Sequence, residues 1–140
     1  MAYAGYLMQV GTGDDAFLIT GSKYVKFSTF QVTRKVQDLD PYRDANGLLH
    51  RNTLPNVPLA VQFDMVPGLT NTQLAEFLGG IQRNYTNALE RKFSGTVYVP
   101  ELDDYTTQDM YMAEPELKIM RIDPDNTVVY ETVQIKFVGY

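Results

Sequence analysis

Apolar and polar positions alternate along three segments of the chain, and this alternation predicts β-strands. The segments are Leu59 to Met65, Phe93 to Val99 and Thr127 to Val138. Because successive side chains of a strand point to opposite faces of a sheet, each segment has one face suited to burial. Weaker strand patterns cover residues 3–10, 24–36, 48–54, 105–112 and 116–122.

One segment has helical rather than strand periodicity. Thr70 or Asn71 can cap a helix over about residues 70–84. Gly79 and Gly80 fall in its middle and cost about 1 kcal/mol each relative to Ala. Such a pair indicates that the helix packs closely against a sheet or ends early. The apolar stripe of this helix consists of Leu74, Phe77, Leu78, Ile81 and Tyr85.

These elements predict the fold class and the domain organisation. A chain of 140 residues is long enough to bury a core without cross-links. Its 44% hydrophobic and 21% charged residues are typical of a folded domain. We therefore expect one domain over residues 1–140, mainly β, built as an antiparallel β-sandwich or barrel with one flanking α-helix and a long hairpin arm.

The hairpin arm is predicted from the Asn46-Gly47 pair, which lies between two extended segments. Asn-Gly favours a two-residue type I′ turn, in which both residues have positive φ. Neither face of residues 24–36 is cleanly apolar, which is typical of a strand contacted on both sides or leaving the body of the fold. The predicted arm covers about residues 32–54 and is suited to reach a neighbouring subunit.

Residues around this turn are the predicted subunit interface. Arginine suits interfacial ion pairs better than lysine, so two arginines beside the turn can pair with acids of an adjacent subunit. A solvated hairpin rim is the competing interpretation. The predicted interface residues are Arg43, Asp44, Asn46, Gly47, His50 and Arg51.

Charge and hydropathy exclude two classes of partner. The net charge of -5 argues against a dedicated nucleic-acid binder, which would need clustered cations. No apolar run approaches the ~20 residues of a membrane span, so we expect no membrane contact. The first residues lack the basic and apolar regions of a signal peptide, which favours synthesis and assembly in a cytoplasm.

Candidate chemistry is sparse, and we expect no enzyme. The chain has no cysteine, and His50 is its one histidine, with no nucleophile or orienting carboxylate marked by spacing. Asp123 to Asn126 lacks the glycine and the distal glutamate of an EF-hand loop. We therefore predict a hairpin turn there and expect neither a metal ion nor a cofactor.

The order of these features resembles a known family, the small tail structural proteins of long-tailed bacteriophages and prophages. The resemblance includes the tail-tube and distal-tail proteins and covers residues 24–138. Its parts, in chain order, are the hairpin Asp44 to Arg51, the strand Leu59 to Met65, Leu69-Thr70 with the helix Leu74 to Ile81, the Tyr-rich strands Val97 to Met112 and the closing strand Thr132 to Phe137.

The resemblance implies a structural subunit of a virion tail, assembled in the host cytoplasm. Such subunits form homo-oligomeric, hexameric rings that contact other tail proteins and surround a channel for the transient, non-specific passage of DNA. In tube-like members the long hairpin reaches the neighbouring subunit. Tube, distal-tail and terminator roles remain open. An acidic subunit of this kind would present a wall that does not grip DNA, because like charges repel.

A binding module is the alternative function. A small β-sandwich can recognise a carbohydrate or a partner protein through exposed aromatic side chains, since tyrosine is enriched at such surfaces. The residues that would serve this function are Tyr98, Tyr105 and Tyr111.

Overall fold

The computed structural model describes residues 3–20 and 24–140 of the chain, and within them the protein is mainly β. One α-helix, α1 (Asn71–Gln82), and a short 3-10 turn (Phe27–Thr29) accompany the strands. The strands in chain order are β1 (Met8–Val10), β2 (Phe17–Ile19), β3 (Gln31–Arg34), β4 (Tyr42–Arg43), β5 (Leu49–His50), β6 (Leu59–Asp64), β7 (Lys92–Val99), β8 (Asp104–Met112), β9 (Ile119–Ile122), β10 (Val128–Tyr130) and β11 (Gln134–Gly139).

Seven strands form one antiparallel sheet in the order β2-β1-β7-β8-β11-β6-β3. Arg34 at the end of β3 comes within 3.9 Å of Glu101, just past β7, although three strands lie between β3 and β7. The sheet is therefore strongly curved. The outer strands β2 and β3 each keep one edge without a partner strand in the described part of the chain. The sheet is therefore open at both sides.

The apolar face of the sheet is buried against α1, and this packing forms the core. Phe77 of α1 meets Phe63 of β6 edge-on at 6.3 Å between ring centroids, and Phe17 of β2 at 5.5 Å. Phe93 and Phe137 extend the same layer across β7 and β11. The second layer consists of α1 and the β9–β10 ribbon, which is joined to the start of the helix by a bridge between Thr70 and Val129.

The alternation predicted for the strands is confirmed for β6, β7 and β11. Leu59, Val61 and Phe63 are buried, and so are the corresponding alternate positions of β7 and β11. The antiparallel β class with one flanking helix is thus confirmed. The predicted strand over Thr127 to Val138 is divided, because residues 131–133 carry the chain from the β9–β10 ribbon into the main sheet.

The prediction of one strand over residues 24–36 was wrong. Residues Phe27–Thr29 form the 3-10 turn, and the ladder starts only at Gln31. The Thr29 hydroxyl donates to the Lys26 carbonyl at 2.6 Å and accepts from the Asp64 amide at 2.9 Å. A threonine that bonds to nearby backbone in this way competes with the sheet ladder.

The predicted helix is present and slightly shorter than expected. Thr70 is its N-cap, and its hydroxyl accepts from the Gln73 amide while the Gln73 side chain accepts from the Thr70 amide. This reciprocal capping box satisfies two backbone donors that the helix leaves free. Leu74, Phe77 and Ile81 are buried as predicted. The helix ends at Gln82, two residues before the predicted end.

The two glycines of α1 differ in their surroundings. A Cβ atom at Gly80 would lie within 3.0 Å of three ring atoms of Phe17, whereas a Cβ atom at Gly79 would meet nothing within 4 Å. Gly80 therefore lets the helix approach β2 closely, as the sequence indicated. Gly79 has no such role.

We predict opposite effects for alanine at these two positions. Gly79→Ala is expected to raise the free energy of unfolding by about 1 kcal/mol, because it gains helix propensity without a clash. Gly80→Ala is expected to lower it by about 1–3 kcal/mol, because the Phe17 ring must leave its contact with Phe77. Urea unfolding of both variants measures the difference. Equal free energies for the two variants would contradict the close approach.

Candidate functional site: the hairpin arm and the polar sheet face

A two-stranded ribbon continues the β3–β6 pair beyond the body of the protein. Its ladder includes bonds from the Lys35 amide to the Pro58 carbonyl at 2.9 Å and from the Leu54 amide to the Gln37 carbonyl at 2.7 Å. The strands β4 and β5 form its outer end. We call residues 35–58 the arm. They project from the end of the sheet at which β3 ends and β6 begins.

The turn at the tip of the arm differs from the prediction. Gly47 has a φ of 80°, but Asn46 is not among the residues with positive φ. The prediction of a two-residue type I′ turn was therefore wrong. The Gly47 amide donates to the Asp44 carbonyl at 2.9 Å, and the Asp44 amide donates to the Leu48 carbonyl at 2.9 Å. This is a three-residue loop in which a turn is followed by a glycine bulge.

The Asp44 side chain explains why the longer loop forms. One carboxylate oxygen accepts from the Asn46 amide at 2.9 Å and from the Leu48 amide at 3.1 Å. The other lies 2.9 Å from Nε2 of His50, whose ring stacks on Tyr42 at 4.8 Å. The His50 bond first, and then the Leu48 amide, lower the pKa of the Asp44 carboxyl.

The predicted interface residues are thus brought to one end of the arm, where they hold its shape. Arg43 donates to the Gly47 carbonyl at 2.9 Å. Arg51 lies further along the arm and pairs with Asp38 at 2.9 Å, and this bond lowers the pKa of Asp38. Arg51 is therefore occupied within its own chain. Among the described residues, no carboxylate pairs with Arg43.

The arm exposes several large apolar side chains, and only its last residue, Pro58, is buried. No residue between positions 31 and 57 is buried. An isolated two-stranded hairpin is marginally stable in water, and clustered exposed apolar side chains mark interaction surfaces. Sequence reasoning placed the interface at charged residues and missed this apolar set, although leucine is frequent in the segment. The exposed side chains, each 38–63% accessible, are Val36, Leu39, Tyr42, Leu48, Leu49 and Leu54.

The face of the sheet that points away from α1 is polar and nearly neutral. Thr96 and Thr107 face each other across β7 and β8, with their hydroxyls 2.8 Å apart. The pairing register gives this face two lysines and two aspartates, so their charges cancel. The net negative charge of the chain therefore lies elsewhere. The side chains on this face include Gln9, Gln62, Asp64, Lys92, Ser94, Asp109, Gln134 and Lys136.

The three tyrosines of the alternative binding function lie on the same sheet face as Thr96 and Thr107, but at opposite ends of it. The rings of Tyr98 and Tyr105 meet edge-on at 5.5 Å between centroids, and the Tyr105 hydroxyl donates to the Tyr6 carbonyl at 2.8 Å. The Tyr98 hydroxyl donates to Asp103 at 2.6 Å, which raises the pKa of Tyr98. Tyr111 lies six residues further along β8, about 20 Å away, against Tyr140. Tyr98 and Tyr105 thus hold the N-terminal segment, because they contact Tyr3 and Tyr6.

We next consider metal ligands, the surroundings of His50 and the length of the helix in the described residues. In residues 3–20 and 24–140, no three His, Cys, Asp or Glu side chains are grouped so that they could hold a metal ion. His50 has the Asp44 carboxylate to orient its ring, but no hydroxyl group of the described residues bonds to it. The helix found in this part of the chain is neither long nor apolar enough to cross a bilayer.

Comparisons with known proteins identify a family and a related fold. The model of a family of unknown function (DUF6711) matches residues 1–140. No curated protein matches the chain. Among solved structures, the chain is similar to a protein of the tail of an empty GTA (gene transfer agent) particle, computed with helical refinement and C6 symmetry. The TM-score is 0.57 at 6% identity, covering 100% of this chain and 94% of the other.

We predict that the tip of the arm loosens in acid. Because the folded-state pKa of Asp44 is lowered, its stabilising bonds are fully present above the ordinary aspartate pKa and are lost as the pH falls through the lowered value. A pH titration followed by NMR should show the Leu48 and Asn46 amide signals shifting with that carboxyl. In Asp44→Asn these amides should not titrate. Amide shifts that follow the same pH curve in both proteins would contradict the role of Asp44.

Proposed function

The chain belongs to the DUF6711 family, and we propose that it is a structural subunit of a phage-like tail. In this proposal, six copies form a ring around a channel, and their arms hold neighbouring copies together. The observation that carries the proposal is the similarity of fold, along the whole chain, to a protein of a tail particle with C6 symmetry. The chain would act by assembly and not by catalysis.

The open sheet supports assembly into a closed ring. Strands β2 and β3 each have one edge without a partner strand among the described residues. Exposed strand edges are templates for pairing with another chain, and monomeric proteins usually protect them. Two different edges on one subunit allow head-to-tail contacts, which close into a ring when the rotation between copies permits.

The polar sheet face is the proposed wall of the channel. Thr96, Thr107 and their neighbours provide hydroxyl and amide groups with balanced charges. DNA binding without sequence preference depends on cations that displace counterions from phosphates, so a neutral wall would let DNA pass without holding it. The proposal thus replaces the acidic wall expected from the net charge with a neutral, hydrophilic one.

The location and the partners follow from this role. A ring of this kind belongs in the tail of a particle and assembles in the host cytoplasm, where it contacts other tail proteins above and below. Tube, distal-tail and terminator rings all use the same head-to-tail closure. The proposed ring is therefore compatible with a tube, a distal-tail or a terminator role.

Deleting the tip of the arm should separate folding from assembly. We predict that replacing Pro41 to Arg51 by a short glycine linker leaves a folded monomer that forms no rings, because none of the deleted residues is buried or belongs to the core. Circular dichroism checks the fold, while light scattering after size-exclusion chromatography and negative-stain images check assembly.

Gly79→Ala is the matched control for this deletion, since it lies in the body of the protein and contacts no arm residue. It should assemble as the unaltered chain does. Normal rings from the arm deletion would refute the proposed role of the arm. A full-length protein that stays monomeric at high concentration would refute the proposed function itself.

A further inference from the structure

A groove lies at the end of the sheet opposite to the arm. It opens on the polar face where β6 ends and β11 begins, and its volume is about 730 Å³. The segment that joins β8 to β9 forms one wall, and β9 forms the next. The groove is lined mainly by Glu114, Glu116, Lys118, Met120, Glu131 and Lys136.

The apolar part of the groove lining consists of Pro67, Ala113 and Met120. Met120 is 44% accessible, whereas the exposed Leu117, Ile119 and Ile122 of the same segment are not part of the lining. Strand β9 pairs with β10 on one side, and its other edge has no partner strand in the described residues. The groove therefore offers apolar contacts and free backbone groups together.

The carboxylates of the groove outnumber its cations. Glu114, Glu116 and Glu131 face two lysines, and none of the three side chains has a hydrogen bond or ion pair within the described part of the chain. The arm presents the complementary feature. Arg43 at its tip bonds to a backbone carbonyl and to no carboxylate of residues 3–20 and 24–140.

The arm of a copy cannot reach the groove of the same copy. The arm leaves the sheet beside Leu59, the first residue of β6, whereas the groove begins at Pro67, beyond the last residue of that strand. The ladder runs outward for about ten residues, or roughly 30 Å. The tip is thus directed away from the groove of its own chain and can only enter the groove of another copy.

We propose that the tip of the arm of one copy docks in the groove of a second copy. Arg43 then faces the three groove glutamates, while Leu48 and Leu49 pack against Met120. This inference rests on the proposed function, because it names the surface that receives the arm when the ring forms. Since arm and groove are different surfaces at opposite ends of the subunit, the contact is head-to-tail.

Engineered cysteines test the contact directly, because the native chain has none. Ala45→Cys on the arm and Glu116→Cys in the groove are made as separate variants and mixed under oxidising, assembling conditions. We expect a disulfide-linked dimer in the mixture. A mixture of Ala45→Cys with Thr107→Cys, which is on the polar face away from the groove, should give none.

A charge exchange provides the second test. Arg43→Glu should raise the concentration needed for half-assembly roughly tenfold, because it places a fourth carboxylate in the groove. Adding Glu116→Arg to Arg43→Glu should restore assembly. Lys26→Glu makes the same change in net charge outside the arm and the groove, and it should assemble as the unaltered chain does.

The outcomes separate this inference from the proposed function. A dimer from Ala45→Cys with Glu116→Cys, together with restored assembly in the double charge variant, supports the docking. The docking is overturned if the mixture of Ala45→Cys and Glu116→Cys forms rings but no disulfide-linked dimer. It is also overturned if the double charge variant assembles no better than Arg43→Glu. Either result leaves the tail role intact. A chain that forms no ring in any condition overturns both.

Discussion

The structure depends on covering one apolar sheet face. A helix of twelve residues is about 18 Å long, while seven strands laid flat would span about 29 Å, so α1 alone cannot cover them. The protein meets this constraint by curving the sheet around Phe63 and Phe77 and by adding the β9–β10 ribbon beside the helix. The arm and the polar face are not required for this covering and lie at the surface.

The arm is stabilised by polar contacts, whereas the core is stabilised by burial of apolar side chains. Ordering a residue costs about 1–2 kcal/mol of conformational entropy, and the arm recovers almost none of it by burial. Its shape is held instead by short polar contacts, chiefly Asp44 with His50 and Asp38 with Arg51. These contacts set the geometry of the tip before any partner is present, while the apolar side chains keep most of their surface available. A preorganised arm of this kind loses less entropy when it binds.

The sequence predicts those elements that have a simple period. Strands such as β6 were recognised because one face alternates strictly, and α1 was recognised from its apolar stripe and from the Thr70 cap. The break at Thr29 and the loop around Asp44 escaped prediction because single side chains bonding to nearby backbone decide them. The strand order also escaped, since pairings such as β1 with β7 join distant segments and leave no periodic signal. The groove was missed because its residues are scattered over the chain, from Pro67 to residues 113–136.

The central claim is that exposed surfaces of this chain are made for copies of itself. A cryo-EM reconstruction of the assembled protein, calculated without imposed symmetry, tests it most directly. The account predicts a closed ring of six copies, each with its arm in contact with a neighbouring copy and its polar sheet face toward the central channel. Arms that point into solvent, or a polar face turned outward from the ring, would contradict it.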